Sequence, residues 1–207
     1  MERGQIPVGQ GGLGMHLEIE PTLPAGPAKD PAGELAARVG ARALRLYESR
    51  RMLCAEAVLT ALNREFGAGL SEAQALAAAA PFSLALGGSG CLCGALSGAV
   101  LGVGLVLNGK GGNRSGRKMR GEARCLHDGF KAAFGATCCR ILTRRVKSDK
   151  KAHFRQCALI TARAAEMAAH QILRKRPELI ARGTGRPFPG RRHTSKSILM
   201  RLLGLFS

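Results

Sequence analysis

The stretch Gly87-Gly88-Ser89-Gly90-Cys91-Leu92-Cys93-Gly94-Ala95-Leu96-Ser97-Gly98-Ala99-Val100-Leu101-Gly102-Val103-Gly104-Leu105-Val106-Leu107 decides how this chain folds. It opens with a glycine-rich turn, presents two cysteines and runs into an apolar segment of small residues. No charged side chain occurs from Ala73 to Asn108. Such a segment belongs inside protein or lipid, because nothing in it suits a water-facing surface. Gly94, Gly98 and Gly102 recur every four residues. On a helix predicted over about 93–107 they share one face, where a second helix can approach closely. Cys91 to Leu107 falls short of the roughly 20 residues of a membrane span. Extending it backwards would put the turn Gly87–Gly90 into lipid, where its backbone groups lack partners. The stretch therefore reads as a central helix buried in protein.

Outward from it, the pattern is helical. Asp30-Pro31 is an N-cap followed by Pro at the first helical position, and a helix is predicted from Glu34 to Arg50. Leu35, Val39, Ala43 and Leu46 are its apolar stripe, with Arg38, Arg42 and Arg45 on another face. A second helix is predicted from Met52 to Phe66, with Cys54, Val58, Ala61 and Leu62 facing inward, ended by Gly67-Ala68-Gly69. Ser71-Glu72-Ala73-Gln74 is a capping-box pattern that starts a third helix up to Ala80. Asn108 to Asn113 reads as a loop. Further helices are expected from Met119 to Phe134, briefly after Cys139, and from Lys150 to Arg174. The last carries Phe154, Ala158, Thr161, Ala165, Ala168 and Ile172 as its stripe, and Pro177 stops it. Residues 182–193 form a Gly/Pro/Arg linker. Ser195 to Ser207 is a short amphipathic segment with Ile198, Leu199, Leu202, Leu203 and Phe206 on one face.

The fold class is thus all-α: a compact bundle of about five to seven helices around the small-residue helix. Scarce aromatics, with no Trp and one Tyr, agree with cores of Ala, Leu, Val and Gly. The expected organisation is a flexible leader over residues 1–29 (Met15 offers an alternative start), a helical domain over 30–174, and a basic linker and amphipathic helix over 175–207.

Charge divides the chain. Residues 1–109 hold 8 Lys/Arg and 9 Asp/Glu, whereas residues 110–207 hold 24 and 5. The basic half suits a solvated surface, or an anionic partner or membrane surface. No aromatic is interleaved with the charges to stack on bases, so no specific nucleic acid is expected. The N-terminus has no continuous apolar signal-peptide core. Seven cysteines, an odd number without the spacing of a secreted framework, point to a reducing cytoplasm, with peripheral membrane association as a further option.

In that compartment cysteines are reactive or metal-binding more often than bridged. Cys93 sits at a predicted helix start after a glycine turn, where free N–H groups and the helix dipole favour thiolate. Cys139 also enters a helix, beside Arg140, Arg144 and Arg145, whose charge would lower a thiol pKa. Cys54 and Cys157 lie on helix flanks. No cofactor is predicted: there is no Walker loop, dinucleotide fingerprint or Ser/His/Asp set, and the glycine turn lacks the preceding strand of a phosphate loop. His127, His153 and His170 show no ligand spacing. A zinc or iron–sulfur site assembled from cysteines of different helices stays open, as does the reading of each thiol as a small buried hydrophobe.

Cys54-Ala55-Glu56-Ala57-Val58, then Cys93-Gly94-Ala95-Leu96-Ser97-Gly98, then Phe134-Gly135 leading to Cys139 and Leu142, then Cys157, resemble the C-GCAxxG-C-C family of redox-active proteins. The resemblance covers about residues 48–174, and the CGAxxG hexapeptide is complete. Family members are small, largely helical bacterial and archaeal proteins. The resemblance implies Cys54, Cys93, Cys139 and Cys157 as the working thiols, with Cys138 an alternative to Cys139. Cys91, Cys125 and one of the doublet lie outside the four. It implies thiol–disulfide chemistry with a redox partner protein. The same four thiolates could instead hold metal or an iron–sulfur cluster. A third reading is a binding or membrane-associated protein acting through the basic half. On the redox reading, Cys93 is the expected nucleophile and Cys54 its partner, with Cys139 and Cys157 as a second pair.

Overall fold

The computed structural model describes residues 30–109 and 116–182. The helices are α1 Pro31–Glu48, α2 Cys54–Phe66, α3 Glu72–Ala79, α4 Gly94–Asn108, α5 Gly116–Phe134, the short α6 Cys139–Leu142, α7 Lys150–Lys175 and a last turn α8 Leu179–Arg182. No strand occurs among the described residues, so the all-α expectation holds. Nor is any helix among them long and apolar enough to cross a membrane. The leader 1–29, loop residues 110–115 and the C-terminal segment 183–207, including the amphipathic Ser195–Ser207, lie outside the described residues.

Local chemistry sets the boundaries. The Asp30 carboxylate accepts from the Ala32 N–H at 3.0 Å, and Pro31 starts α1. The Leu53 N–H donates to the Glu56 carboxylate at 2.7 Å, which delays α2 to Cys54. Gly67, at φ 67°, ends α2 in the left-handed conformation that a side chain would resist. Ser71 and Gln74 form the expected capping box. Asp149 caps α7, accepting from Lys151 and Ala152 at 2.8 and 2.9 Å; these N–H groups hold its carboxyl below the usual carboxylate range. Asp149→Ala should lower stability, read as a shift of the chemical-denaturation midpoint to lower denaturant at unchanged slope.

Helix α4 is central. Its neighbours are α2 on the glycine face, α7 and α5. A Cβ on Gly98 would stand 2.5 Å from the Ala55 carbonyl oxygen, and one on Gly102 would stand 2.4 Å from a Leu62 methyl. The apolar stripe predicted for α1 is buried. Helix α1 lies along α7, where a Cβ on Gly40 would meet the Ala162 carbonyl at 3.0 Å. One arginine departs from its predicted face. Arg42 is buried and pairs with the buried Glu65 of α2 at 2.8 Å, while the more exposed Arg38 reaches the same carboxylate at 3.5 Å. Helix α1 packs on two sides, which leaves Arg42 facing protein. The helical unit also continues past residue 174: Arg176 donates to the Val106 carbonyl at 3.1 Å, and Leu179 is buried in the core.

Between α3 and α4 the chain makes a left-handed turn. Leu84, Ala85, Leu86 and Gly87 have φ values of 54°, 58°, 53° and 63°. Each non-glycine there costs roughly 1–2 kcal/mol; Ala85 is buried and its carbonyl accepts from the Ser89 hydroxyl at 2.6 Å, whereas Leu84 and Leu86 are exposed. The turn closes over the start of α4, beside the cysteines.

Candidate functional site

Two segments form the site's frame. Residues 89–93 run antiparallel to residues 137–140: the Cys93 N–H donates to the Thr137 carbonyl at 2.7 Å and the Arg140 N–H to the Gly90 carbonyl at 3.0 Å. The Arg140 guanidinium also donates to the Ser89 carbonyl at 2.7 Å. This crossing joins the glycine turn before α4 to the loop before α6. It brings four cysteines, two from each segment, to one place.

Cys91 and Cys138 form a disulfide, with Cα atoms 4.4 Å apart. Cys93 and Cys139 are free thiols, Cys93 buried and Cys139 half-buried, near enough for each to shift the other's titration. Cys54, at the start of α2, and Cys157, on α7, complete the cluster through their electrostatic coupling to Cys139. The Cys54 sulfur lies where a Cβ on Gly94 would be 2.6 Å away, and the same Cβ would stand 2.8 Å from the Phe82 carbonyl. The hexapeptide CGAxxG thereby acquires physical content. Its cysteine supplies a thiol, its first glycine admits the sulfur of Cys54, and its second admits the backbone of α2. The doublet ambiguity also resolves in the geometry: Cys139 sits with the other three, and Cys138 bridges to Cys91. Cys125 is exposed on α5.

The electrostatics reverse one expectation. The Cys93 thiol is pushed up, first because it donates to Cys139 and then because it is buried. Cys139 is brought down to about 7, first by the hydrogen bond from Cys93 and then, against the cost of burial, by backbone N–H groups including that of Gly94. The two thiols titrate as a pair that shares a proton, and the amide at the start of α4 faces Cys139. Nor do the arginines account for the lowered thiol, since Arg140 is turned to the Ser89 carbonyl. The expected Cys54–Cys93 pairing changes likewise: Cys139, arriving on the crossing loop, is the thiol hydrogen-bonded to Cys93.

Burial pushes the Cys54 thiol up, opposed by the Leu84 N–H that the left-handed turn aims at it. Burial also pushes Cys157 up to about 12, opposed by a hydrogen bond from Tyr47. Tyr47 was not singled out in the sequence, although it is the only tyrosine in the chain. Burial and the neighbouring Cys157 raise its hydroxyl well above the usual tyrosine value, so it stays a donor. Its ring stacks on Phe154 at 5.1 Å, which fixes it over the cluster. Among the described residues, no group of three or more His, Cys, Asp or Glu side chains is placed to hold a metal ion. The thiols form a hydrogen-bonded pair with two flanking sulfurs, and they do not converge as metal ligands would.

A cleft of about 590 Å³ adjoins α6 one turn from Cys139. Ile141, Leu142 and Leu159 line it, with Arg144, Arg145 and Arg155 at its edge.

A family model described as "Putative redox-active protein (C_GCAxxG_C_C)" matches residues 52–171. No curated protein and no solved structure matches the chain.

Proposed function

The chain belongs to the C-GCAxxG-C-C family, and from that premise we propose that it is a cytoplasmic dithiol–disulfide exchange protein whose reactive pair is Cys139 and Cys93. The observation that carries this reading is the segment crossing that brings the buried Cys93 against the less buried Cys139, so that two free thiols can share one proton. Thiolate is the attacking form, and a thiol titrating near ambient pH combines thiolate fraction with nucleophilicity.

The Cys139 thiolate attacks one sulfur of a substrate disulfide. A mixed disulfide forms and the other substrate sulfur leaves as thiolate. Cys93 gives up its proton to that leaving sulfur and attacks the Cys139 sulfur. The Cys93–Cys139 disulfide forms and the second substrate sulfur departs as thiolate. Two electrons pass from the protein's pair to the substrate, which ends as one thiol and one thiolate, the latter protonated by solvent according to its own pKa. Cys54 and Cys157, held protonated by burial, flank the pair. The cytoplasm suits a chain with seven cysteines and without the spacing of a secreted disulfide framework.

Equilibration of the Cys91→Ser/Cys138→Ser variant in graded dithiothreitol buffers, followed by acid quenching, alkylation and tandem mass spectrometry, tests the assignment. Cys93 and Cys139 should lose alkylation together, in a single two-electron transition. Joint loss at Cys54 and Cys157, with Cys93 and Cys139 fully alkylated, would sink it.

A further inference from the structure

Cys91 and Cys138 lie outside the family's four cysteines, yet they share both backbone segments with Cys93 and Cys139. Cys91 is one residue removed from Cys93, and Cys138 is the neighbour of Cys139. The two pairs differ in state and in exposure. The outer pair is a disulfide, and its Cys91 is exposed. The inner pair is reduced, and its Cys93 is buried. A macromolecular reductant can reach the first more readily than the second.

We propose that Cys91 and Cys138 take over the disulfide formed on Cys93 and Cys139 and present it at the surface to a protein dithiol. The proposal rests on the reading of Cys93 and Cys139 as the reactive pair. The Cys91 thiolate attacks the Cys139 sulfur, forming a Cys91–Cys139 bond and releasing Cys93. The released Cys93 sulfur takes the proton of Cys138. The Cys138 thiolate then attacks Cys91, forming the outer disulfide and releasing Cys139 as thiolate. One disulfide is consumed, one is formed, and no outside reagent enters. Cys138 does not attack Cys139 directly, because adjacent Cα atoms are about 3.8 Å apart, less than the about 4.4 Å at which disulfides begin. The end state matches the structure: outer pair bridged, inner pair unbridged. An external protein dithiol then attacks the exposed Cys91, expels Cys138, and closes its own disulfide with its second sulfur.

The test is a time course on the fully reduced, full-length protein at pH 7 with a single equivalent of 5,5′-dithiobis(2-nitrobenzoate). Samples are acid-quenched, alkylated with a light reagent, reduced, and alkylated with a heavy one. Fragment ions then distinguish Cys91 from Cys93 and Cys138 from Cys139. Heavy label should appear first on Cys93 and Cys139 and then move to Cys91 and Cys138. In Cys139→Ser the outer disulfide should form at least about tenfold more slowly, since its donor sulfur is gone. Label that stays on Cys93 and Cys139 overturns the relay and leaves the reactive pair standing. So does outer-disulfide formation at the parental rate in Cys139→Ser. Failure of Cys93 and Cys139 to join at any time in Cys91→Ser/Cys138→Ser defeats the reactive pair, and the relay with it.

Discussion

Gly98→Ala is expected to lower the melting temperature by about 4–8 °C, although alanine is the better helix former. Two effects compete. Replacing a mid-helix glycine by alanine gains about 1 kcal/mol of helix propensity. Against it, the new methyl group would stand 2.5 Å from the Ala55 carbonyl oxygen and 3.0 Å from the Ala55 Cα. Those atoms are backbone, so no rotamer change relieves the contact; α2 must move as a body. Overpacking of this kind costs about 1–3 kcal/mol and sometimes more. With the obstacle in backbone the upper end applies, and a net loss of about 2 kcal/mol remains. For a chain of this size each kcal/mol moves the midpoint by about 2–4 °C. Gly104→Ala is the control. A Cβ there meets nothing within 4 Å, so only the propensity gain acts and the midpoint should rise. Melting curves followed by far-ultraviolet circular dichroism read both. An unchanged Gly98→Ala would mean that the close approach of α2 and α4 is not what holds them. The consequence extends to the thiols, because Cys54 is the residue before Ala55: a displaced α2 carries its sulfur away from Gly94.

The glycine row, the capping residues and the apolar stripes were legible in the sequence because each is a local rule. Asp30-Pro31, Ser71-x-x-Gln74 and Gly67 mark helix ends by satisfying or releasing backbone groups, whatever the rest of the chain does. Arg42 was misread for the complementary reason. A helical wheel separates apolar from charged residues, but it does not show a second packed helix with Glu65 on it. The left-handed turn was hidden as well, because three of its four positive-φ positions carry Leu or Ala, and only Gly87 announces the conformation. For the site, the four-cysteine pattern named the thiols that gather, but not their roles. Helix-start position argued for a thiolate at Cys93. What decides the matter is which sulfur donates to the other, and that depends on a loop 40 or more residues away crossing the turn at Gly90 and Cys93. The Cys91–Cys138 bond follows from the same crossing, which no spacing rule records.

Cys93→Ala should therefore slow alkylation of Cys139 at pH 7 by about 50-fold, while leaving its rate at pH 10 nearly unchanged. With its thiol at about 7, Cys139 is about half thiolate at that pH. The first cause of the lowering is the Cys93 thiol, which donates to the thiolate and has nothing comparable to offer the protonated form. Without that donor, burial still opposes charge, and the value returns to the ordinary 9.0 or beyond. At pH 7 only about one molecule in a hundred would then carry the thiolate. The sign of the profile follows. In the parent the rate rises with pH, levels off above about 7 and falls about tenfold per unit below it; in Cys93→Ala the whole curve moves to higher pH. Cys93→Ser keeps a hydroxyl donor at the same place and should lie between the two, which a general loosening of the site would not produce. The measurement is the iodoacetamide rate of Cys139, followed by mass spectrometry from pH 5 to 10. It is made in a Cys125→Ser background so that the exposed thiol does not contribute, and without reductant so that Cys91 and Cys138 stay joined. If parent and Cys93→Ala share one midpoint, the amides at the start of α4 hold the thiolate alone. Cys93 would then be a buried neighbour of Cys139 and not its proton-holding partner, and the two-thiol mechanism would lose its second member.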